Sequence, residues 1–259
     1  MGKALVTGAA RRLGRAMALY LAGRGHDVAV HYAGSAEEAE AVAQEIRALG
    51  RQAVTLQADL LDEDQTQALV PRAEAALGGR LTVLVNNASI FEYDNLTTAT
   101  RSSWDRHLES NLRAPFVLTQ RFAAQVPPTV TDAQGEPLAQ GLIVNLIDQR
   151  VLKPTPEFMT YTIAKMGLWA LTRTAAQGLA PAVRVNAIGP GPTLQGARQS
   201  AAHFAAQRAA TVLQRGADPQ GICAALGYFL DAPAVTGQLI CVDGGQHLAW
   251  QTPDVLGVE

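Results

Sequence analysis

Short apolar runs alternate with longer stretches of helical periodicity along the whole chain. Runs at 3–7 (KALVT), 27–32 (DVAVHY), 52–57 (QAVTLQ), 81–88 (LTVLVNNA), 141–147 (GLIVNLI), 183–188 (VRVNAI) and 237–245 (GQLICVDGG) read as strands. Between them, apolar residues recur at helical spacing over 13–24, 35–50, 62–77, 101–124, 157–179, 195–214 and 218–230. Ser35 stands where a helix wants an N-cap and Gly50 where it stops. The segment 127–140 (PPTVTDAQGEPLAQ) reads as a loop insertion between a helix and a strand.

Strand and helix in alternation imply a parallel sheet with helices on both faces. The strands are apolar almost throughout, as strands covered on both sides must be. No repeat and no linker interrupts the pattern. It predicts one domain over residues 1–259, a doubly wound α/β fold with a mainly parallel seven-stranded sheet.

Composition narrows the classes. The chain has 259 residues, 48% hydrophobic and 17% charged, with a net charge of −2. That is a globular composition, and neither a nucleic-acid nor a membrane partner is expected. Cys223 and Cys241 lack metal-ligand spacing and read as reduced core thiols. His31 and His107 have no metal-type partners nearby in sequence, so no metal is expected. No run approaches the ~18 apolar residues of a membrane span. The first residues lack a signal-peptide pattern, since Gly8 and Arg11 follow "ALV" at once; a cytoplasmic location is the expectation.

The turn TGAARRLGRA (7–16) joins the first strand to the first helix. In a doubly wound sheet this is where a dinucleotide pyrophosphate meets backbone N–H groups at a helix N-terminus. Gly8 and Gly14 permit close approach, with Arg11, Arg12 and Leu13 between them. An ordinary βα turn would carry the same glycines; position at the first strand is what points to a nucleotide. The second strand ends in His31 and Tyr32, and no acid follows before Glu37. NAD enzymes often place an acid there for the ribose 2′-hydroxyl. Its absence, with Arg11 and Ser35 available for a 2′-phosphate, favours NADPH over NADH. Ala58, Asp59 and Leu60 would border the adenine, and Asn87, Ala88 and Ser89 the adjoining ribose.

Further on, Tyr161 and Lys165 are one helical turn apart and share a face. A lysine ammonium beside a tyrosine would stabilise the phenolate and lower its pKa from about 10. Asp148 lies thirteen residues before Tyr161. An ionised Asp only accepts hydrogen bonds, so it suits a substrate with N–H donors better than a simple ketone. A structural hydrogen bond at a strand end is the plainer reading of the same residue.

Together these pieces resemble the short-chain dehydrogenase/reductase family, a Rossmann-fold group. The glycine turn, "NNA" (86–88), Asn111, Tyr161-x-x-x-Lys165 and Pro190-Gly191 occur in the family's order across essentially the whole chain. Usual members have glycine at the place of Arg12 and serine at the place of Asp148. Both departures, with Phe91 shortly after "NNAS", look like the pteridine reductases. Those enzymes tend to carry a basic residue after the second strand, where Ala33-Gly34 are uncharged here.

The resemblance implies catalysis by Asn111, Asp148, Tyr161 and Lys165, with Asn111 anchoring a water that links Lys165 to solvent. It implies that Pro190, Gly191 and Thr193 border the bound NADPH. It implies that Arg12, Ser89, Phe91, Asp148 and Tyr161 hold a pterin-like substrate, Phe91 by stacking. A homotetramer is implied too, with helices 101–124 and 157–179 at its interfaces. A carbonyl reductase acting on 3-oxoacyl thioesters and a non-catalytic nucleotide-binding scaffold are the alternatives. The loop around 193–215 names no substrate. Trp250, past the last strand, is read either as core or as an interface residue.

Overall fold

Strand positions alternate between two cores. In β1 (Lys3–Val6), Ala4 and Val6 pack on one side of the sheet and Leu5 on the other. The same alternation divides Val28 and Val30 from Ala29 in β2 (Asp27–Tyr32), and Val83 and Val85 from Leu84 in β4 (Val83–Asn86). It divides Leu142 and Val144 from Ile143 in β7 (Gly141–Leu146). Each of these strands is buried on both faces because helices cover both. The structure is a computed structural model and describes residues 2–196 and 199–252.

With β3 (Ala53–Gln57), β8 (Val183–Pro190) and β9 (Leu239–Val242), these strands form one seven-stranded sheet in the order β3-β2-β1-β4-β7-β8-β9. Every pairing in it is parallel. The helices α1 (Arg12–Gly23), α2 (Ala36–Ala48) and α8 (Pro219–Asp231) supply residues to one core. The other core takes residues of α3 (Glu63–Leu77), α5 (Ala114–Gln125) and α6 (Met159–Gly178). Strand order turns back between β1 and β4, which opens a crevice above their carboxyl ends.

Several expected boundaries shift. The helix expected over 101–124 is interrupted: α4 (Arg101–Leu108) passes through a π-helical turn, Glu109–Arg113, before α5 begins. Such turns cluster at functional positions, and Asn111 lies in this one. The 127–140 insertion is not all loop, since β5 (Val130–Thr131) and β6 (Pro137–Leu138) pair antiparallel at the surface. In the 195–214 segment only α7 (Ala201–Ala209) is helical among the described residues, and Ala197 and Arg198 lie outside them. Ser35 precedes α2 but its hydroxyl makes no capping bond. Trp250 is 59% exposed, which corrects the core reading; the rest of the tail, 253–259, lies outside the described residues.

Cys223 and Cys241 are free thiols, pushed up by burial to about 11 and about 12. Among the described residues no group of His, Cys, Asp and Glu is disposed to hold a metal ion, and no helix is long and apolar enough to cross a membrane.

Candidate active site

The parallel sheet delivers the ends of β1, β4, β7 and β8 to one rim. At β1 the chain turns through Gly8, with φ +62°, and enters α1. A Cβ on Gly14 would stand 2.1 Å from the Gly8 carbonyl oxygen, so only glycine lets helix and turn close this tightly. Arg12 has φ +54°, a left-handed conformation uncommon for a residue with a Cβ. The place that usual family members give to glycine thus keeps a glycine-type backbone. The start of α1 has no side-chain cap and no acid in its first turn. Its free N–H groups and positive dipole end suit an anion.

The turn is braced from behind. Asn87 Nδ2 donates to Thr7 O at 2.8 Å, and the Thr7 hydroxyl accepts from the amides of Asn87 (2.9 Å) and Ala88 (3.0 Å). His31 is buried with both ring nitrogens taken up: Nδ1 accepts from the Gly8 amide at 3.0 Å and Nε2 bonds Ala58 O at 3.1 Å. Burial pushes its pKa down to about 4, so it is a neutral prop under the turn. Tyr32, Ala58, Asp59 and Leu60 lie where β2 and β3 end, beside that prop. Opposite them, a Cβ on Gly191 would meet Asp243 Cα at 2.6 Å, which presses Pro190-Gly191 against the turn after β9. Thr193 is buried and donates to Gly191 O at 2.9 Å.

The two turn arginines are engaged differently from expectation. Arg11 ion-pairs with Glu38, an acid that α2 brings back to the turn. Arg12 donates to the carbonyls of Leu194 (2.9 Å) and Gln195 (2.8 Å), tying the loop after β8 to the phosphate turn. Neither bond was visible in sequence, because each joins residues far apart in the chain.

Tyr161, Lys165 and Asp148 do come together. Tyr161 Oη donates to Asp148 Oδ2 at 3.0 Å, and Asp148 Oδ1 accepts from the Arg150 amide at 2.9 Å. Lys165 is buried, with Nζ donating to Leu146 O at 2.8 Å and lying 5.7 Å from the Tyr161 ring centroid. Burial raises the Asp148 pKa, although the Arg150 amide and charge, Tyr161 and Lys165 pull it down. Burial pushes Lys165 down to about 8 against the pull of Asp148. For Tyr161 the lowering that Lys165 alone would bring does not prevail. Burial, then the charge and hydrogen bond of Asp148, drive its pKa well above 10. The phenol therefore stays protonated across ordinary pH. Asn111 braces the neighbouring loop: Nδ2 donates to Ile90 O (2.8 Å) and Oδ1 accepts from Ile90 N (3.1 Å), so its side chain pins the Ser89–Phe91 segment.

Phe91 lies over this group. Its ring stacks on Phe158 at 4.3 Å between centroids and meets Tyr161 edge-on at 4.7 Å, yet it remains 42% exposed. Tyr93 packs edge-on against Phe158 at 5.3 Å, and the Arg150 guanidinium lies 5.1 Å from the Phe158 ring centroid. Ser89 is exposed, and its hydrogen bond to Tyr161 lowers the tyrosine's pKa. Sequence reasoning missed Phe158, Tyr93 and Arg150. The available signal was spacing: Phe158 lies three residues before Tyr161, and Arg150 two after Asp148.

The short chain dehydrogenase family profile matches residues 2–205. The 3-oxoacyl-[acyl-carrier-protein] reductase FabG of Staphylococcus aureus is 34% identical over 252 residues, 95% of this chain and 98% of that protein. The crystal structure of the alternative dihydrofolate reductase FolM from Brucella suis, in complex with NADP, superposes with a TM-score of 0.90. It is 42% identical, with 98% of both chains covered. A short-chain dehydrogenase from Burkholderia cenocepacia, also in complex with NADP, gives a TM-score of 0.84 at 32% identity, covering 95% of this chain and 97% of that one. The glycine turn, the buried Tyr161 and Lys165 and these likenesses over nearly the full length have one common explanation: the chain belongs to the short-chain dehydrogenase/reductase family and is an oxidoreductase.

Proposed function

We propose that this enzyme reduces a dihydropteridine, of the dihydrobiopterin or dihydrofolate type, with NADPH as reductant. The observation that carries the reading is the 3.0 Å bond from Tyr161 to Asp148. A serine there would donate to a carbonyl oxygen; a carboxyl accepts from ring N–H and amino groups, and donates once protonated. Likeness to FolM at 42% identity supports the same substrate class.

The nucleotide rim fits NADPH. The uncapped start of α1 and the tight Gly8–Gly14 approach suit its pyrophosphate. Arg11 and Ser35 would meet the 2′-phosphate, and relatives crystallised with NADP support that choice. Ala58, Asp59, Leu60, Asn87, Ala88, Pro190, Gly191 and Thr193 would border the rest. When bound, NADPH supplies the hydride.

The chain's own residues supply position and protons. Phe91 covers the substrate ring, Ser89 meets its edge, and Arg12 would have to leave Leu194 and Gln195 to reach it. Asn111, by holding Ile90, fixes the segment that carries Phe91. Tyr161 keeps its proton until hydride arrival makes the substrate nitrogen basic, and Asp148 shares and replaces that proton. Lys165, cationic below about 8, holds the charge balance of the pair. Exposed Trp104, Phe116, Ile163 and Met166 on α4, α5 and α6 support a homotetramer built on those helices.

The second reading, a 3-oxoacyl thioester reductase, is favoured by the 34% identity to FabG. NADPH oxidation with 7,8-dihydrobiopterin, dihydrofolate and a 3-oxoacyl thioester separates the two. Turnover confined to the pterins supports the proposal; turnover of the thioester alone rejects it.

A further inference from the structure

His107, on α4, plays no part in that reading, yet it is fully buried at 0% exposure. Its ring meets Tyr161 edge-on, 6.1 Å between centroids. Its two nitrogens join segments from different parts of the site. Nε2 accepts from the Glu92 amide at 3.1 Å, next to Phe91. Nδ1 lies 2.6 Å from the hydroxyl of Thr160, next to Tyr161. The Thr160 hydroxyl in turn makes a short bond to Asp94 Oδ2.

Proton counting fixes the direction of this chain. The carboxylate of Asp94 only accepts, so Thr160 must give it its one proton. Thr160 therefore accepts from His107 Nδ1–H. That leaves Nε2 bare, as the Glu92 amide requires. Only one neutral tautomer satisfies all three bonds, and burial, the largest influence on His107, favours the neutral ring. Burial works against the Asp94 charge, but the Thr160 hydroxyl and amide outweigh it and hold that carboxyl below its usual range.

Asp94 also begins the catalytic helix. Phe158, the residue before α6, is left-handed at φ +57° and supplies no side-chain cap. Asp94 caps instead: its carbonyl accepts from the amides of Phe158 (2.7 Å) and Met159 (3.3 Å), and Oδ1 accepts from the Thr160 amide at 3.1 Å. Asp94 is 2% exposed, so this cap lies inside the protein.

We infer that His107, Thr160 and Asp94 form a positioning relay that sets the Phe91 roof at a fixed height above Tyr161. The roof segment is bonded through the Glu92 amide, the floor helix through Thr160, and Asp94 ties segment 90–95 to the start of α6. Displacements of about 1 Å at such a site cost up to ~10²-fold in rate. The inference rests on the pterin reading only for the choice of substrate.

The test uses Thr160→Val, which keeps shape but removes the shared hydroxyl, and Thr160→Ser, which restores it. Three quantities are measured on the full chain: single-turnover hydride transfer to 7,8-dihydrobiopterin, the Kd for NADPH, and amide hydrogen exchange over 90–95 and 158–162 in the NADP-bound protein. Thr160→Val should lose about 10-fold or more in hydride transfer with NADPH Kd within about twofold, and Thr160→Ser should recover most of the rate. Exchange should rise in both segments together. Hydride transfer within about twofold of the parent, or exchange rising in the helix alone, overturns the relay. If the parent reduces no pterin, the proposed function falls. The relay is then judged by exchange, which needs no substrate, and by hydride transfer to the ketone that the parent does reduce.

Discussion

Phe91 offers the cleanest test of how the substrate is held. The ring is 42% exposed, although Phe158 and Tyr161 already cover part of it. A phenylalanine presents about 150–250 Å², so about 60–105 Å² of this ring is open to a flat ligand. Covering that area at about 25 cal/mol per Å² contributes about 1.6–2.6 kcal/mol. At ~1.4 kcal/mol per factor of ten, Phe91→Ala should weaken pterin binding by about 10- to 70-fold. The assay is calorimetric titration of 7,8-dihydrobiopterin into the NADP-loaded protein, repeated for NADPH with the free protein. NADPH should bind both proteins within about twofold, since Phe91 belongs to the roof and not to the phosphate turn. Phe91→Ala also loses two ring contacts of about 0.5–1.5 kcal/mol each, so the melting temperature must be measured beside it. Pterin binding within twofold of the parent in a folded Phe91→Ala protein would refute the stacking argument. Equal weakening of pterin and NADPH would do the same.

Three further outcomes follow from the geometry. Arg11→Ala should lower the preference for NADPH over NADH by about tenfold to a hundredfold, the worth of a charged hydrogen bond of ~1.5–3 kcal/mol, read as the ratio of kcat/KM values. Glu38→Gln, by freeing Arg11 from its ion pair, should raise that ratio; a fall would show that Glu38 assists the phosphate contact. Gly14→Ala places a Cβ 2.1 Å from the Gly8 oxygen, so we expect about 1–3 kcal/mol of destabilisation and loss of NADPH binding, and an unchanged melting curve would contradict the tight turn.

The fold was legible because apolar runs and helical periodicity both encode burial, and here burial on two faces is complete for β4 and β7 and for Ala4–Val6 of β1. Tyr161, Lys165 and Asp148 were legible as a set because their helix and strand end meet at one rim. What stayed hidden were relations across the chain. A π-helical turn inserts a residue without changing composition, so 101–124 reads as one helix. The β5–β6 hairpin is short and exposed and lacks an apolar signature. The Arg11–Glu38 pair, the hold of Arg12 on residues 194–195 and the stacking of Phe158 on Phe91 all depend on side chains brought together by topology. The Tyr161 pKa went up because burial, and after it the Asp148 charge facing the phenol, oppose ionisation, while Lys165 turns its ammonium to Leu146.

The central claim is that Asp148 and Tyr161 supply protons as one unit, and the pH dependence of Asp148→Asn tests it most directly. Burial raises the Asp148 pKa, so the carboxyl keeps its proton to higher pH than an ordinary aspartate. Raising pH ionises Asp148, above the usual carboxylate range, and neutralises Lys165 through about 8, so the site loses two protons. Single-turnover hydride transfer to 7,8-dihydrobiopterin should therefore be fastest at mildly acidic pH and slow towards alkaline pH. Asp148→Asn keeps the shape and removes the acid; the rate should fall by ~10²-fold and the inflection contributed by Asp148 should vanish. If the folded Asp148→Asn protein transfers hydride at the parent rate across that range, Asp148 is a hydrogen-bond acceptor only, and the proton-supply account is wrong.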